Sequence, residues 1–350
     1  MNKQALAAIF NWIFVMLAGA LIISLFFMLA NNQAEAGKER LAQNALQQVN
    51  TILSTQATSF DTSTRVPVPE EEIRLTCEAF IQDGQVTLLS QLEIGGFSRV
   101  LEDELTVGRT LHTSELVLFS KEWRAPYRLA NILHVTSDEE LLVLIQHPSL
   151  ETNQQRLYEA FPDVVTIQNQ TGSTQASATG YQTVRAVQIG ESSTPPAISS
   201  YDVLTQTTAQ VHNIYVSFEN DLREAGAVHY HHEGSWHGPY HYVGEGMLTA
   251  LIWQASPPEA DCLQHKLVQD LRRQTELQRH RLQALTNYYD EQGISACASL
   301  TTRAHLTNLR DKPSIQSPHP LYNFDIQEEV AEVRSQQRRL ERGDRCATIY

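Results

Sequence analysis

Five of the chain's 13 histidines fall in the short segment His229-Tyr230-His231-His232-Glu233-Gly234-Ser235-Trp236-His237-Gly238-Pro239-Tyr240-His241-Tyr242. Neutral imidazole is a strong ligand for zinc and copper, so such a density raises metal chemistry first. Read as a β-hairpin whose tip runs from Gly234 to Pro239, the two-residue alternation of a strand puts His229, His231 and His241 on one face. Tyr230, His232 and Tyr242 then lie on the other. Three imidazoles on one face could hold zinc or copper, with Glu233 or His237 completing the set. The plainer account, and the favoured one, is a solvated aromatic and histidine-rich hairpin with no ligand, because a loop does not fix ligand geometry. His232-Glu233-x-x-x-His237 misses the H-E-x-x-H spacing of zinc proteases, and its Gly and Pro neighbours would break the helix that motif needs.

Other chemistry is absent from the sequence. There is no G-x-x-x-x-G-K phosphate loop, no G-x-G-x-x-G and no C-x-x-C pair. Gly190-Glu191-Ser192-Ser193-Thr194 lacks the closing glycine of a nucleophile elbow. Glu70, Glu71 and Glu72 read as a solvated charge run. Arg272, Arg273, Arg279 and Arg281 give one helix a basic side that Asp270 and Glu276 can pair. Asn169-Gln170-Thr171 is a permissive glycosylation sequon in an expected loop. No catalytic residue is assigned, and the reading favours a non-enzyme.

The elements that must position these residues begin with a membrane-like segment. Within 350 residues, Ala5 to Ala30 contains no charge, and at 1.5 Å per residue it spans the ~30 Å hydrocarbon core with some tilt. It exceeds the apolar stretch of a secretory signal, which favours an uncleaved anchor, although Ala34-Glu35-Ala36 resembles a cleavage site. The amino terminus and Lys3 directly precede the segment, whereas Lys38 and Arg40 follow it at a distance beside Glu35 and Glu39. The positive-inside rule therefore puts the amino terminus in the cytoplasm and residues 31 to 350 outside.

Four cysteines, Cys77, Cys262, Cys297 and Cys346, fit an exported domain with two disulfides. A long helix over 257 to 290 followed by a turn at Gly293 would keep Cys297 far from Cys262, beyond the ~7 Å that a bridge allows between Cα atoms. Each of those two is therefore expected to pair with Cys77 or Cys346.

Four segments follow: a cytoplasmic tip and transmembrane helix over 1–30, a helical stalk and linker over 31–69, an α/β domain over 70–256 and a helical region over 257–350. Leu41, Ala45, Leu46, Val49, Ile52 and Leu53 form one stripe, so the helix continues beyond the membrane as a stalk that could pack on the domain or on another copy. Residues 55–69, rich in Ser and Thr and closing with Pro67 and Pro69, read as a linker. Ile73 to Phe80, Val86 to Leu92, Glu115 to Ser120, Ile132 to Thr136, Leu141 to Gln146, Val164 to Ile167, Thr183 to Ile189 and Val211 to Phe218 read as strands. A helix over Glu151 to Phe161 between two of them makes a strand, helix, strand unit. The expected fold is therefore α/β or α+β, a mixed sheet with covering helices, rather than an all-β sandwich. Ser256-Pro257-Pro258-Glu259 reads as a capping box opening the long helix. Two more helices are expected over Ser295 to Leu309 and Ile326 to Arg342. The net charge of −14 argues against nucleic acid as a partner.

Several segments together are similar to a family. They are Asn11-Trp12-Ile13-Phe14-Val15 with Ala18-Gly19-Ala20, Trp123-x-x-Pro126-Tyr127, Tyr242-Val243-Gly244 leading to Asp261-Cys262, and the closing Cys346-Ala347-Thr348-Ile349-Tyr350. Spread over most of the chain, they resemble a group of uncharacterised, single-pass, membrane-anchored archaeal proteins, chiefly from small-genome lineages. The resemblance implies one N-terminal span, an exported domain and paired cysteines, and it carries no activity or catalytic residue. The expected function is a structural or interaction role at the cell envelope, with the bilayer as partner through residues 5–30 and self-association possible through the stalk. The alternatives are a metal-binding domain using the histidine cluster and a pilin-like surface subunit.

Overall fold

The computed structural model describes residues 3–56, 59, 61–82, 85–101, 105–106, 109–124, 128–145, 149–170, 178–196, 209–218, 221–254, 256–292, 300–311 and 329–335. It consists of a long apolar helix leading into a β-rich domain with two sheets and further helices. Helix α1 (Lys3–Gln56) runs unbroken for 54 residues. Its two halves meet different surroundings. From Met16 to Leu29 the large apolar side chains are 49–71% exposed, whereas Ala42, Ala45, Val49 and Leu53 are buried.

The buried half of α1 covers the first sheet. Strands β1 (Ser63–Gln82), β2 (Gln85–Ile94), β3 (Phe97–Leu101), β4 (Leu105–Thr106), β5 (Arg109–Arg124) and β6 (Arg128–Ser137) lie in the order β3-β2-β1-β5-β6-β4. All pairs are antiparallel except β4 with β6. Val66, Ile73, Leu92, Leu116, Leu133 and Val135 pack beneath α1. Hydrogen bonds hold the helix end down: Asn131 Nδ2 donates to the Ser59 carbonyl at 2.6 Å and Ser120 Oγ to the same carbonyl at 3.3 Å. The expected stripe thus packs on its own domain through Ala45, Leu46, Val49, Ile52 and Leu53, whereas Leu41 is exposed.

The expected linker over 55–69 is not one. Ser63 to Pro67 pairs with β5, Ser63 opposite Phe119 and Pro67 opposite Glu115. Proline is tolerated there because β2 begins its pairing with β1 only at Ile73 and the register slips between Pro67 and Glu71, so the missing N–H costs no ladder bond on that side.

The second sheet takes β7 (Glu140–Ile145), β8 (Ile167–Gln170), β9 (Thr183–Gly190), β10 (Gln210–Phe218), β11 (Ala225–His232) and β12 (Ser235–Val243), in the order β12-β11-β10-β9-β7-β8. Strands β8, β7, β9 and β10 are parallel, and β11 and β12 add antiparallel edges. Helix α2 (Glu151–Glu159) joins β7 to β8, the strand, helix, strand unit that the sequence pattern called for. Seven of the eight expected strands are found, distributed over two sheets instead of one; the expected strand over Val164 to Ile167 meets β8 only at Ile167.

Helix α3 (Glu245–Trp253) is wedged between the sheets. Every residue from Gly246 to Trp253 is buried, which its apolar circumference requires. Gly246 lies against the Glu122 backbone so closely that a Cβ has no room. Trp123 Nε1 donates to the Val243 carbonyl at 2.9 Å, tying β5 to the entry of α3. Helix α4 (Pro257–Glu291) then lays Leu263, Leu267, Leu271 and Leu282 into the same core. Ser256 makes no side-chain cap on α4, because Pro257 and Pro258 remove the first two N–H groups that a cap would serve. Helix α5 (Leu300–Asp311) and a helical turn over 329–335 add Leu306, Leu309, Val330 and Val333.

Cys77 on β1 is bonded to Cys262 on α4, with Cα atoms 6.2 Å apart. That is one of the two partners expected for Cys262. Cys297 and Cys346 lie outside the described residues. On α4, Glu276 takes Arg279 at 2.6 Å and Arg310 of α5 at 2.9 Å, and these guanidinium groups pull its carboxyl down to about 2. The basic side of the helix is thereby paired, at least through Arg279.

Candidate functional site

Two cavities open at opposite ends of the second sheet. Between them they are lined by His229, His231, His232 and His241 of the histidine segment and by the buried Glu140 and Arg185.

The first lies at the carboxyl ends of β9 and β10, the edge at which open parallel sheets usually bind ligands. Its volume is about 280 Å³, and Glu191, Ser193, Ser217, His229, Pro239 and His241 are among its lining residues. The hairpin of β11 and β12 brings the two histidines there. It turns at Glu233 and Gly234, with φ of 51° and 84°, a two-residue turn of the type that follows the natural twist of a hairpin. The strands register His232 with Ser235, His231 with Trp236 and Tyr230 with His237. A bulge at Gly238 and Pro239 then shifts the ladder, so that Val228 faces Tyr240 and Ala227 faces His241.

This register corrects the expected three-imidazole set. His229, His231 and His241 do share a face, but the turn falls at 233–234 and not across 234–239. Gly238-Pro239, the stronger turn signal in the sequence, is a bulge inside β12. His241 consequently opposes Ala227, four residues along β11 from His231, a separation of ~13 Å at strand rise. One ion cannot reach both. His231 instead meets the edge of Trp236, ring centroids 5.5 Å apart, and lines the second cavity. Among the described residues, no three His, Cys, Asp or Glu side chains are grouped to hold a metal. Glu233 and His237, the proposed completing ligands, lie beside His232 at the turn, Glu233 Oε1 being 3.8 Å from His232 Nε2 and the His237 ring 6.1 Å from that of His232.

His229 is only 6% exposed, and its Nε2 is buried with no hydrogen-bond partner. Its ring packs beside Tyr215 at 6.0 Å, while the Tyr215 hydroxyl donates to the Ser192 carbonyl at 2.9 Å. Burial, reinforced by His241, pushes the His229 imidazole down to about 4, so it is neutral over the physiological range. An unpaired buried nitrogen of this kind costs about 1–3 kcal/mol. The Ser217 hydroxyl is engaged with the Ala227 carbonyl at 3.3 Å.

The second cavity, about 460 Å³, lies at the amino ends of β7, β9 and β10 and is lined by Glu140, Arg185, His212, His231, His232 and Glu259 among others. Arg185, on the central strand β9, is 1% exposed. Its Nη1 donates to the carbonyls of Gln254 at 2.6 Å and Ile252 at 3.4 Å, the free carbonyls at the end of α3, and its guanidinium lies 5.5 Å from the Trp253 ring centroid. Arg185 Nη2 is 3.6 Å from Glu140 Oε1, and Glu140 also accepts from the Thr136 hydroxyl. Burial pulls Arg185 down to about 10 and Glu259 opposes the fall, so the charge is kept at neutral pH. Nearby, the Tyr230 hydroxyl, driven well up by burial, donates to the Leu251 carbonyl at 2.5 Å.

Arg185 and Glu140 were not singled out in the sequence, and Glu259 only as the closing residue of a capping box. A signal existed: Thr183-Val184-Arg185-Ala186-Val187-Gln188-Ile189 is an apolar strand with one charge at a position whose neighbours two and four residues on, Val187 and Ile189, are core. Asn169, the sequon asparagine, is exposed on the edge strand β8.

No protein-family model, no curated protein and no solved structure matches the chain.

Proposed function

We propose that the chain is a single-pass membrane protein with its amino terminus in the cytoplasm, and that its domain works outside in a structural or interaction role at the cell envelope. The observation that carries this is the division of α1. Its residues 16–29 leave large apolar side chains exposed all along one unbroken helix, while residues 42–53 of the same helix are core of the domain. Among the described residues it is the one helix long and apolar enough to cross a bilayer. Such an exposed apolar surface is stable in lipid and not in water. The Cys77 to Cys262 bond favours an oxidising compartment for the domain, and the charges flanking the span favour the same side. No connected nucleophile and base is found among the described lining residues of the two cavities, which favours interaction over catalysis.

The test is alkaline carbonate extraction followed by protease treatment of intact cells expressing the full chain. Retention in the membrane pellet with digestion of the domain from outside is expected. Release by carbonate, or a domain protected until the cells are lysed, overturns the reading.

A further inference from the structure

We propose that His229 and His241 form a two-imidazole site for a first-row divalent cation, leaving the other coordination positions to water or to a group carried by the metal. The site stands independently of the membrane reading.

The argument starts from register. His241 opposes Ala227, and His229 lies two residues further along β11 on the same face. The two are therefore diagonal cross-strand neighbours, a relation that sets Cα atoms ~7–8 Å apart and side chains closer. Two imidazoles reaching toward each other from that spacing can close on one ion with bonds of about 2.0–2.1 Å. Both line the same 280 Å³ cavity, so an ion has a route in from solvent. His229 lines that cavity, and its Nε2 is buried with no partner in the protein. A cation is the partner that a neutral imidazole accepts at least cost, since it needs only a lone pair.

The surroundings favour a cation too. Glu191 follows β9 on the cavity wall, and the remaining polar lining comes from Ser193 and Ser217. No lysine or arginine is among the lining residues. The described residues supply no third ligand of the His, Cys, Asp or Glu kind in position. This is accordingly an open site, and the affinity order for such nitrogen donors runs copper over nickel and zinc. His231 is excluded by the ~13 Å that separates it from His241 along the strand.

The full chain in detergent, stripped with a chelator and dialysed, is titrated with copper(II) and separately with zinc(II). Binding is followed by calorimetry and by tyrosine and tryptophan fluorescence, because Tyr215 lies 6.0 Å from His229 and 6.4 Å from Trp236 and bound copper quenches at such range. One saturable equivalent is expected. His229→Ala and His241→Ala should each weaken it by more than about tenfold, as loss of a ligand must exceed loss of its outer support, and His231→Ala should leave it unchanged. His241 is partly exposed, so its variant keeps the test open if removing His229 disturbs folding, which circular dichroism reports. Absence of saturable binding, binding in either single variant as tight as in the parent, or equal loss in the His231→Ala control overturns the proposal.

Discussion

The two ends of the second sheet handle buried polarity in opposite ways. At the amino ends of the strands Arg185 keeps its charge: Nη1 donates to the α3 carbonyls, Glu140 lies 3.6 Å from Nη2 and the face of Trp253 lies alongside, while Nε and Nη2 make no hydrogen bond. At the carboxyl ends His229 gives up its charge and leaves one nitrogen unmet. A guanidinium cannot be neutralised at any cellular pH, so burying it obliges the fold to build an enclosure around it. An imidazole can be neutralised, so burying it obliges nothing further. The first group is therefore fixed by structure, and the second is free to be completed by something from outside.

The largest effect should come from breaking the fixed end. Arg185→Met leaves Glu140 buried without its counter-ion and the α3 carbonyls without a donor, and chemical denaturation of the full chain should show a loss of about 3–5 kcal/mol. Adding Glu140→Gln should recover part of that loss, because the two changes remove the same pair and are coupled. A double variant no more stable than Arg185→Met alone would show that the carbonyls, and not the carboxylate, dominate. The free end should respond far less. His229→Leu keeps the volume and deletes the unmet nitrogen, so its stability should fall within about 1.5 kcal/mol of the parent, on either side. A loss comparable with that of Arg185→Met would erase the contrast between the two ends.

The free end also gives a pH slope, and its sign follows from protons bound. The His229 imidazole sits at about 4 in the folded chain against ~6.5 when unfolded. Between those values the unfolded chain binds the extra proton, so stability is full above the unfolded value and declines as pH falls toward 4. Denaturation midpoints measured across this window should slope downward with acid in the parent, and His229→Leu should flatten the slope. An unchanged slope would place its origin in other groups.

Much of the scaffold could be read in the residues, and the reasons are local. Strands such as Val211 to Phe218 and the Leu263, Leu267, Leu271 face of α4 carry their periodicity within a few turns. Pairing is harder to read. Nothing in the alternation of β1 to β6 says that they form a sheet of their own, since one-sided strands look alike whichever sheet they join. The stripe on 41–53 announced that something covers it without saying what. The histidine face was legible, but the set was not: Gly238-Pro239 outweighs Glu233-Gly234 as a turn signal, and only the paired strand shows that the former is a bulge. Arg185 was legible in principle as a charge in an apolar strand.

The unbroken α1 has a consequence for encounters between molecules. About 13 residues separate Leu29 from Ala42, a rise of ~20 Å at helical pitch, and no linker interrupts them. A domain on a flexible tether tumbles freely and gives up rotational entropy when it docks. A domain cemented to a membrane-spanning rod, as proposed for α1, has already given up most of its tilting freedom, so only spinning about the rod and lateral drift remain to be lost. Any partner held in the same bilayer would then meet the same face at the same height each time, and modest contacts would suffice for a lasting association.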